Sequence, residues 1–276
     1  VLKNYFERKL ASMKKLQDIE KGFCLVEELR QDLEFEEYLE LRGKVIAKAY
    51  DLNYKKECFD FVKDIELDKI LDFELRSCLT HILVRTSLIA DKIKHPVVQQ
   101  ISLEFDPDLY HENYKAWLAI NSALVLRKSG LITRSTELME NCEFLKEDNL
   151  ALLQLSLNYS FLDRYDKEIE IYDKLEKVDE QWVRDILFFR KAKLFIKREE
   201  KKKLKKLMSS CDIYSLLKPI EYRNARSLEL YDIFTFLGDN CKALFYLRKA
   251  TENKYNKNEV EISSKQRALE ILKRAV

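Results

Sequence analysis

The residues best able to carry chemistry are the three histidines and six cysteines, which ligate metals and act as acids, bases or nucleophiles near neutral pH. His95 and His111 stand apart from any cysteine or paired carboxylate, so they offer no metal-ligand spacing. Cys24, Cys58, Cys78, Cys142, Cys211 and Cys241 include no C-x-x-C pair. Several fall at helix positions expected to be buried, so they read as free, core-filling thiols of a reducing compartment. There is no Gly-rich phosphate loop, no nucleophile elbow and no legible Cys–His pair. The expectation is a protein that is not an enzyme, with no metal and no cofactor.

Charge gives a second kind of candidate. The run from Lys197 to Lys206 carries seven basic and two acidic residues, a composition open to nucleic acid or a membrane surface. Glu199 and Glu200 interrupt it, no aromatic interleaves, and Leu204, Leu207 and Met208 keep a helical inward face. A solvated helix face is the expected reading.

The elements that position these residues are helices. The chain of 276 residues holds only 4 Gly and 3 Pro, too few for the turns of sandwiches, barrels or doubly wound sheets. Charged residues make up 36%, yet the net charge is only +2, which describes a mixed, well-solvated surface rather than a wholesale nucleic-acid binder. No apolar run approaches 18 residues and no signal-peptide pattern is present, so a cytoplasmic protein without a membrane partner is expected. The chain opens on Val1, and a further N-terminal domain preceding it is one expectation.

Residues 1–30 read as one amphipathic helix, and 33–64 as a helical hairpin turning at Leu52-Asn53. Residues 67–94 continue in helix, Pro96 interrupts and Val97 to Leu103 resume, and Phe105–Asp108 breaks the run, with Pro107 stopping one helix and Asp108 capping the next. From Asn113 onward the pattern repeats. Ala123, Ser156, Ala192 and Tyr231 recur at spacings of 33, 36 and 39 residues. Seven positions after each come Gly130, Asp163, Glu199 and Gly238, the expected turns. Sixteen and nineteen after stand only apolar residues, from Met139 and Cys142 to Leu247 and Ala250.

The hairpin at 152–175, with Tyr165, Ile169 and Tyr172, and the unit at 227–250, with Gly238, Ala243 and Ala250, resemble the tetratricopeptide repeat (TPR). Departures from that pattern are Glu168, Lys191, Lys205, Ser135 and Thr136. The resemblance implies an all-α fold, a right-handed α-solenoid of TPR-like helical hairpins whose neighbours share one core. It divides the chain into an N-terminal region of degenerate hairpins (1–106), a repeat array (107–253) and a terminal helix (254–276). That last helix either caps the array or pairs with a second subunit as a homodimer.

First helices of such an array line a concave groove, and the column they present mixes Asn121, Arg127, Gln154, Asn158, Arg190, Lys193, Glu229 and Asp232. Amides and charges beside small apolar pockets suit an extended peptide or protein segment. More loosely, the chain is similar to the sensor domains of Gram-positive peptide-pheromone receptors. That likeness implies quorum-sensing signalling and transcription regulation, with groove amides such as Asn121, Gln154 and Asn158 on the peptide backbone. DNA would be reached only through a domain outside this chain, since residues 1–30 hold no helix-turn-helix. A passive scaffold or co-chaperone competes with this reading. Arg76 and His81 match the R-x4-H spacing of an all-helical ribonuclease family, a third and weaker alternative. Trp117 and Trp182 are expected to pack, with a place at the edge of the groove the alternative for Trp117, beside Tyr114 and the Asp-Pro break.

Overall fold

The computed structural model describes residues 2–219, 222–252 and 259–274; these are helical with no strand. The expected all-α class holds. No described helix is long and apolar enough to cross a membrane. The link at Lys254–Asn258 lies outside the described residues.

Residues 1–30 form two helices and not one: α1 (Leu2–Ser12) and α2 (Leu16–Leu29). Asp18 stops the helix from running through, because its Oδ2 accepts the backbone N–H groups of Lys14 and Lys15 (3.0 and 3.1 Å). Met13 then turns inward against Gly22, where an added Cβ would sit 2.6 Å from Met13 Cε. The hairpin at 33–64 is α3 (Phe35–Asp51) and α4 (Lys55–Val62). It is followed by α5 (Phe73–Ile89), α6 (Pro96–Leu103), α7 (Glu112–Lys128), α8 (Ile132–Asn141), α9 (Asn149–Phe161) and α10 (Tyr165–Leu175). The break at Pro107 is present, but His111 caps α7, its Nδ1 accepting from Asn113 N–H at 3.3 Å; Asp108 does not. Beyond α10 come α11 (Gln181–Lys197), α12 (Lys201–Ser209), the single turn α13 (Ile213–Leu216), α14 (Arg223–Leu237), α15 (Asn240–Glu252) and α16 (Glu259–Arg274).

One turn recurs. Asn53, Asp91, Gly130, Asp163, Glu199 and Gly238 are the described residues with positive φ, between 54° and 84°, and they end α3, α5, α7, α9, α11 and α14. In each case the next N–H reaches back to the carbonyl five residues earlier. Tyr54 bonds Ala49, Leu131 bonds Leu126, Arg164 bonds Tyr159, and Asp239 bonds Phe234, at 2.9–3.1 Å. This left-handed cap closes the helix's open carbonyls and reverses the chain within two residues. All four positions expected to turn do so. The sequence reading missed Asp91, which falls outside the repeat register. A side chain in the left-handed region costs energy that glycine avoids. Gly238 has only Lys201 Nζ within 4 Å of an added Cβ, at 3.8 Å. Gly238→Ala is therefore expected to lower stability by about 1 kcal/mol through conformation alone, and Glu199→Gly to raise it by about 0.5 kcal/mol. Urea titrations of both variants check this.

The chain divides into two compact units, Val1–Ile169 and Glu170–Val276, with the division inside α10. In the first, α3, α5, α7 and α9 lie against one another in order, while α4, α6 and α8 each contact the first helix of the next hairpin. Its core runs through Ile19, Val45, Ile46, Leu79, Leu83 and Val125. Gly43 lets α3 and α5 approach, since a Cβ there would meet Leu79 Cδ1 at 2.7 Å. In the second unit Phe188, Ala192, Leu204, Leu230 and Phe234 form the core. There α16 packs on α14 and α15, with Ala268 fully buried among Leu228, Leu247 and Ala250. Ile262 and Leu269 on the same helix remain exposed.

Candidate functional site

In the first unit, one face of α5 carries Cys78, His81 and Arg85, and one face of α7 carries Tyr114, Trp117 and Asn121; both sets recur every three or four residues. The His81 ring lies between Tyr50 (6.0 Å) and Tyr114 (6.1 Å). Arg85 Nη1 donates to Asn121 Oδ1 at 3.3 Å, so Asn121 is buried and held, while its Nδ2 has no acceptor among the described residues. Trp117 stands 53% exposed on the same face, against the expectation that it packs; Trp182, in the second unit, is exposed too.

The next group is denser. Arg127 Nη2 donates to Gln154 Oε1 (2.8 Å), and Nη1 donates to Asn158 Oδ1 (3.1 Å) and the Gln154 carbonyl (3.3 Å). Asn158 is fully buried and its Nδ2 donates to Ser135 Oγ (2.8 Å), which itself donates to the Ala123 carbonyl (2.7 Å). Ser135, a departure from the repeat pattern, is thus the hub that ties α7, α8 and α9 together. The result is a guanidinium whose plane is fixed before any ligand arrives. The expected residues Arg127, Gln154 and Asn158 are brought together here, with Asn158 acting from beneath by holding Arg127.

The other candidates belong to the second unit. Lys193 on α11 pairs with Glu229 on α14. Asp232 lies beside Arg267 (3.7 Å), and burial raises its carboxyl above the usual range while Arg267 and Lys193 oppose the rise. Arg190 is half-buried on the same helix as Lys193. In the basic run, Glu200 engages Arg198 (3.2 Å) and Lys203 (3.0 Å). Two features escaped the sequence reading. One is the Tyr50–His81–Tyr114 stack with Arg85. The other is a buried ion pair, Arg226–Asp185 at 2.9 Å, whose partners are 41 residues apart. Neither has a local signal, because each partner alone looks like an ordinary helix residue.

No protein-family model, curated protein or solved structure matches the chain. The site has to be read from its own chemistry. Among the described residues no group of three His, Cys, Asp or Glu is placed to hold a metal ion. The cysteines are free; Cys58 and Cys142 are buried, whereas Cys24 and Cys241 are exposed and fill no core. Burial pushes the Cys58 thiol up to about 12 and the Cys142 thiol to about 11, which makes both inert near neutral pH.

Burial, with Arg85 and Lys55 nearby, brings His81 down to about 4. A base so weak is poorly matched to proton transfer near pH 7. Arg76, its partner in the ribonuclease spacing, lies over the Phe73 ring instead (5.4 Å). The shift has a stability consequence of definite sign. The folded-state value lies below the unfolded one, so between about pH 6.5 and 4 the unfolded chain takes up a proton that the native chain refuses. Stability attributable to this residue is intact above that window and falls within it, by about 3 kcal/mol in all. His81→Phe keeps the ring between the two tyrosines and removes the titration. Urea melts should show the wild type losing more stability than the variant from pH 7 to 4.5; parallel losses would contradict the assignment.

Proposed function

We propose that the protein is a non-enzymatic binder of an extended peptide, built from TPR-like hairpins that stack as a solenoid within each unit. The observation that carries this is the Arg127 guanidinium, held by Gln154 and Asn158, with a second polar pair, Arg85–Asn121, earlier in the same unit. Extended peptide presents carbonyls and N–H groups at regular intervals, and fixed donors and amides answer them with little ordering cost. The exposed Trp117, one turn before Asn121 on α7, supplies an apolar contact. Support for the stacking comes from the six alike left-handed caps and from first helices lying side by side. By this reading the ligand is a short signalling peptide in the cytoplasm. Its binding shifts the array between two shapes and so controls transcription or a partner protein, as in the pheromone-receptor sensor domains that the chain resembles.

Native mass spectrometry of protein freshly purified from its own host tests the proposal. The expected result is a bound peptide shorter than about ten residues, released on denaturation and rebinding in solution. Arg127→Ala should weaken rebinding by about tenfold or more, and Asn158→Ala should weaken it through loss of the guanidinium's support. A co-purifying protein in place of a peptide would give the scaffold reading. Empty protein that binds no peptide from its host's extract would end the receptor reading.

A further inference from the structure

The second unit holds an opening that the peptide reading does not use. Between α12 and α14 the chain inserts the single turn α13. As a result α12 touches α14 only sparsely, and two clefts of about 750 and 770 Å³ lie on either side of α13. They adjoin: Ile213 lines both, and Phe234 of one cleft stacks on Tyr246 of the other at 5.4 Å. Together they form a groove along α15, whose 13 residues span about 20 Å.

Its walls are apolar and unusually open. Phe245 is 52% exposed and Tyr214 78%, with Leu217 and Leu237 deeper in the groove. Its charges are one-sided, five basic residues against two acidic ones. The two acids are already taken, Asp239 by Lys242 (3.2 Å) and Glu252 by Lys249 (2.8 Å). Lys205 and Lys218 are exposed at opposite ends and form no ion pair among the described residues, and Arg223 donates to the Leu217 carbonyl. An apolar floor leaves a purely polar polyanion little to bind along most of the groove. A cationic rim rejects basic partners.

We propose that this groove docks an acidic amphipathic helix, about three to four turns long, from a partner protein. Its apolar stripe lies on Ile213, Leu237 and Phe245, and its carboxylates face Lys205, Lys218 and Arg223. The surface belongs wholly to the second unit and stands whether or not the first unit binds peptide.

The test uses fluorescence anisotropy of the full chain with three labelled synthetic peptides of about fourteen residues, the length of four helical turns. One is a Glu/Leu amphipathic helix, one its Lys/Leu counterpart and one a Glu/Ser sequence. Saturable binding of the Glu/Leu peptide alone is expected, and Phe245→Ser should weaken it by about tenfold. Lys205→Glu combined with Lys218→Glu should weaken it by about tenfold and shift preference toward the Lys/Leu peptide. All three positions are exposed, so circular dichroism should report an unchanged fold. Equal binding of the Glu/Ser peptide would overturn the proposal, as would affinities untouched by these substitutions. So would an absence of saturation, or tighter binding of a short single-stranded RNA used as competitor.

Discussion

Asp185→Ala lowers the stability of the second unit by about 3–5 kcal/mol, because it strands the Arg226 guanidinium in a site that solvent barely reaches. The Asp185 and Arg226 side chains are 5% and 11% exposed, and their ion pair spans 2.9 Å. Each partner is also hydrogen-bonded elsewhere. Gln181 Nε2 donates to Asp185 Oδ1 (2.6 Å), and Arg226 Nη1 donates to the Leu216 carbonyl (2.5 Å). Three elements, α11, α13 and α14, are thereby pinned by one pair of side chains. Arg226→Ala should be comparably damaging. A paired replacement, Asp185→Leu with Arg226→Met, should cost much less than the two single losses added, since no charge is then left buried and unpaired. Trp182 lies in the second unit and Trp117 in the first, so fluorescence-monitored urea titration in a Trp117→Phe background reports the relevant transition. A single Asp185→Ala variant as stable as the parent would show that solvent, not Asp185, balances Arg226.

The second large effect lies at the crossing of α3 and α5. Leu79 is fully buried, and Leu79→Ala is expected to cost about 2–5 kcal/mol for lost burial and the cavity left behind. Gly43→Ala presses a methyl to within 2.7 Å of Leu79 Cδ1, a side chain fully buried in the core, and should cost about 1–3 kcal/mol. The two changes are coupled by geometry. Removing the leucine's branches makes room for the new methyl, so the double variant should be more stable than the sum of the single losses predicts, by about 1 kcal/mol or more. Strict additivity in chemical denaturation would mean that the helices part to accommodate the added methyl and that close approach is not what Gly43 provides.

Both effects concern pairs that no stretch of sequence displays. Asp185 and Arg226 are separated by 41 residues, Gly43 and Leu79 by 36, and each looks ordinary in its own helix. The turns show the opposite case. Gly130 and Gly238 are legible because a left-handed residue favours glycine, and Asp163 and Glu199 become legible once the repeat places them in the same column. The reading of residues 1–30 as a single helix went astray for a local reason of another kind. The apolar period runs unbroken through Met13, and only the Asp18 carboxylate, folding back on two backbone N–H groups, divides it.

The candidate site divides along the same line. Periodicity brought Arg127 and Gln154 into one column with Asn158 close by, and the structure brings the three into one hydrogen-bonded group. Which of them stays partly exposed and which is sealed beneath depended on burial. Asn158 is sealed against Ser135, whereas Arg127 and Gln154 are only partly covered. By itself, then, the sequence determined an all-helical chain, its hairpin rhythm and most of its turns, because these follow from local backbone preference and the 3.6-residue period. Tertiary structure alone decided which polar residues meet, where His81 loses its proton affinity and where a cationic groove stays open. Desolvation and long-range contact are set by neighbours that the linear order does not place together.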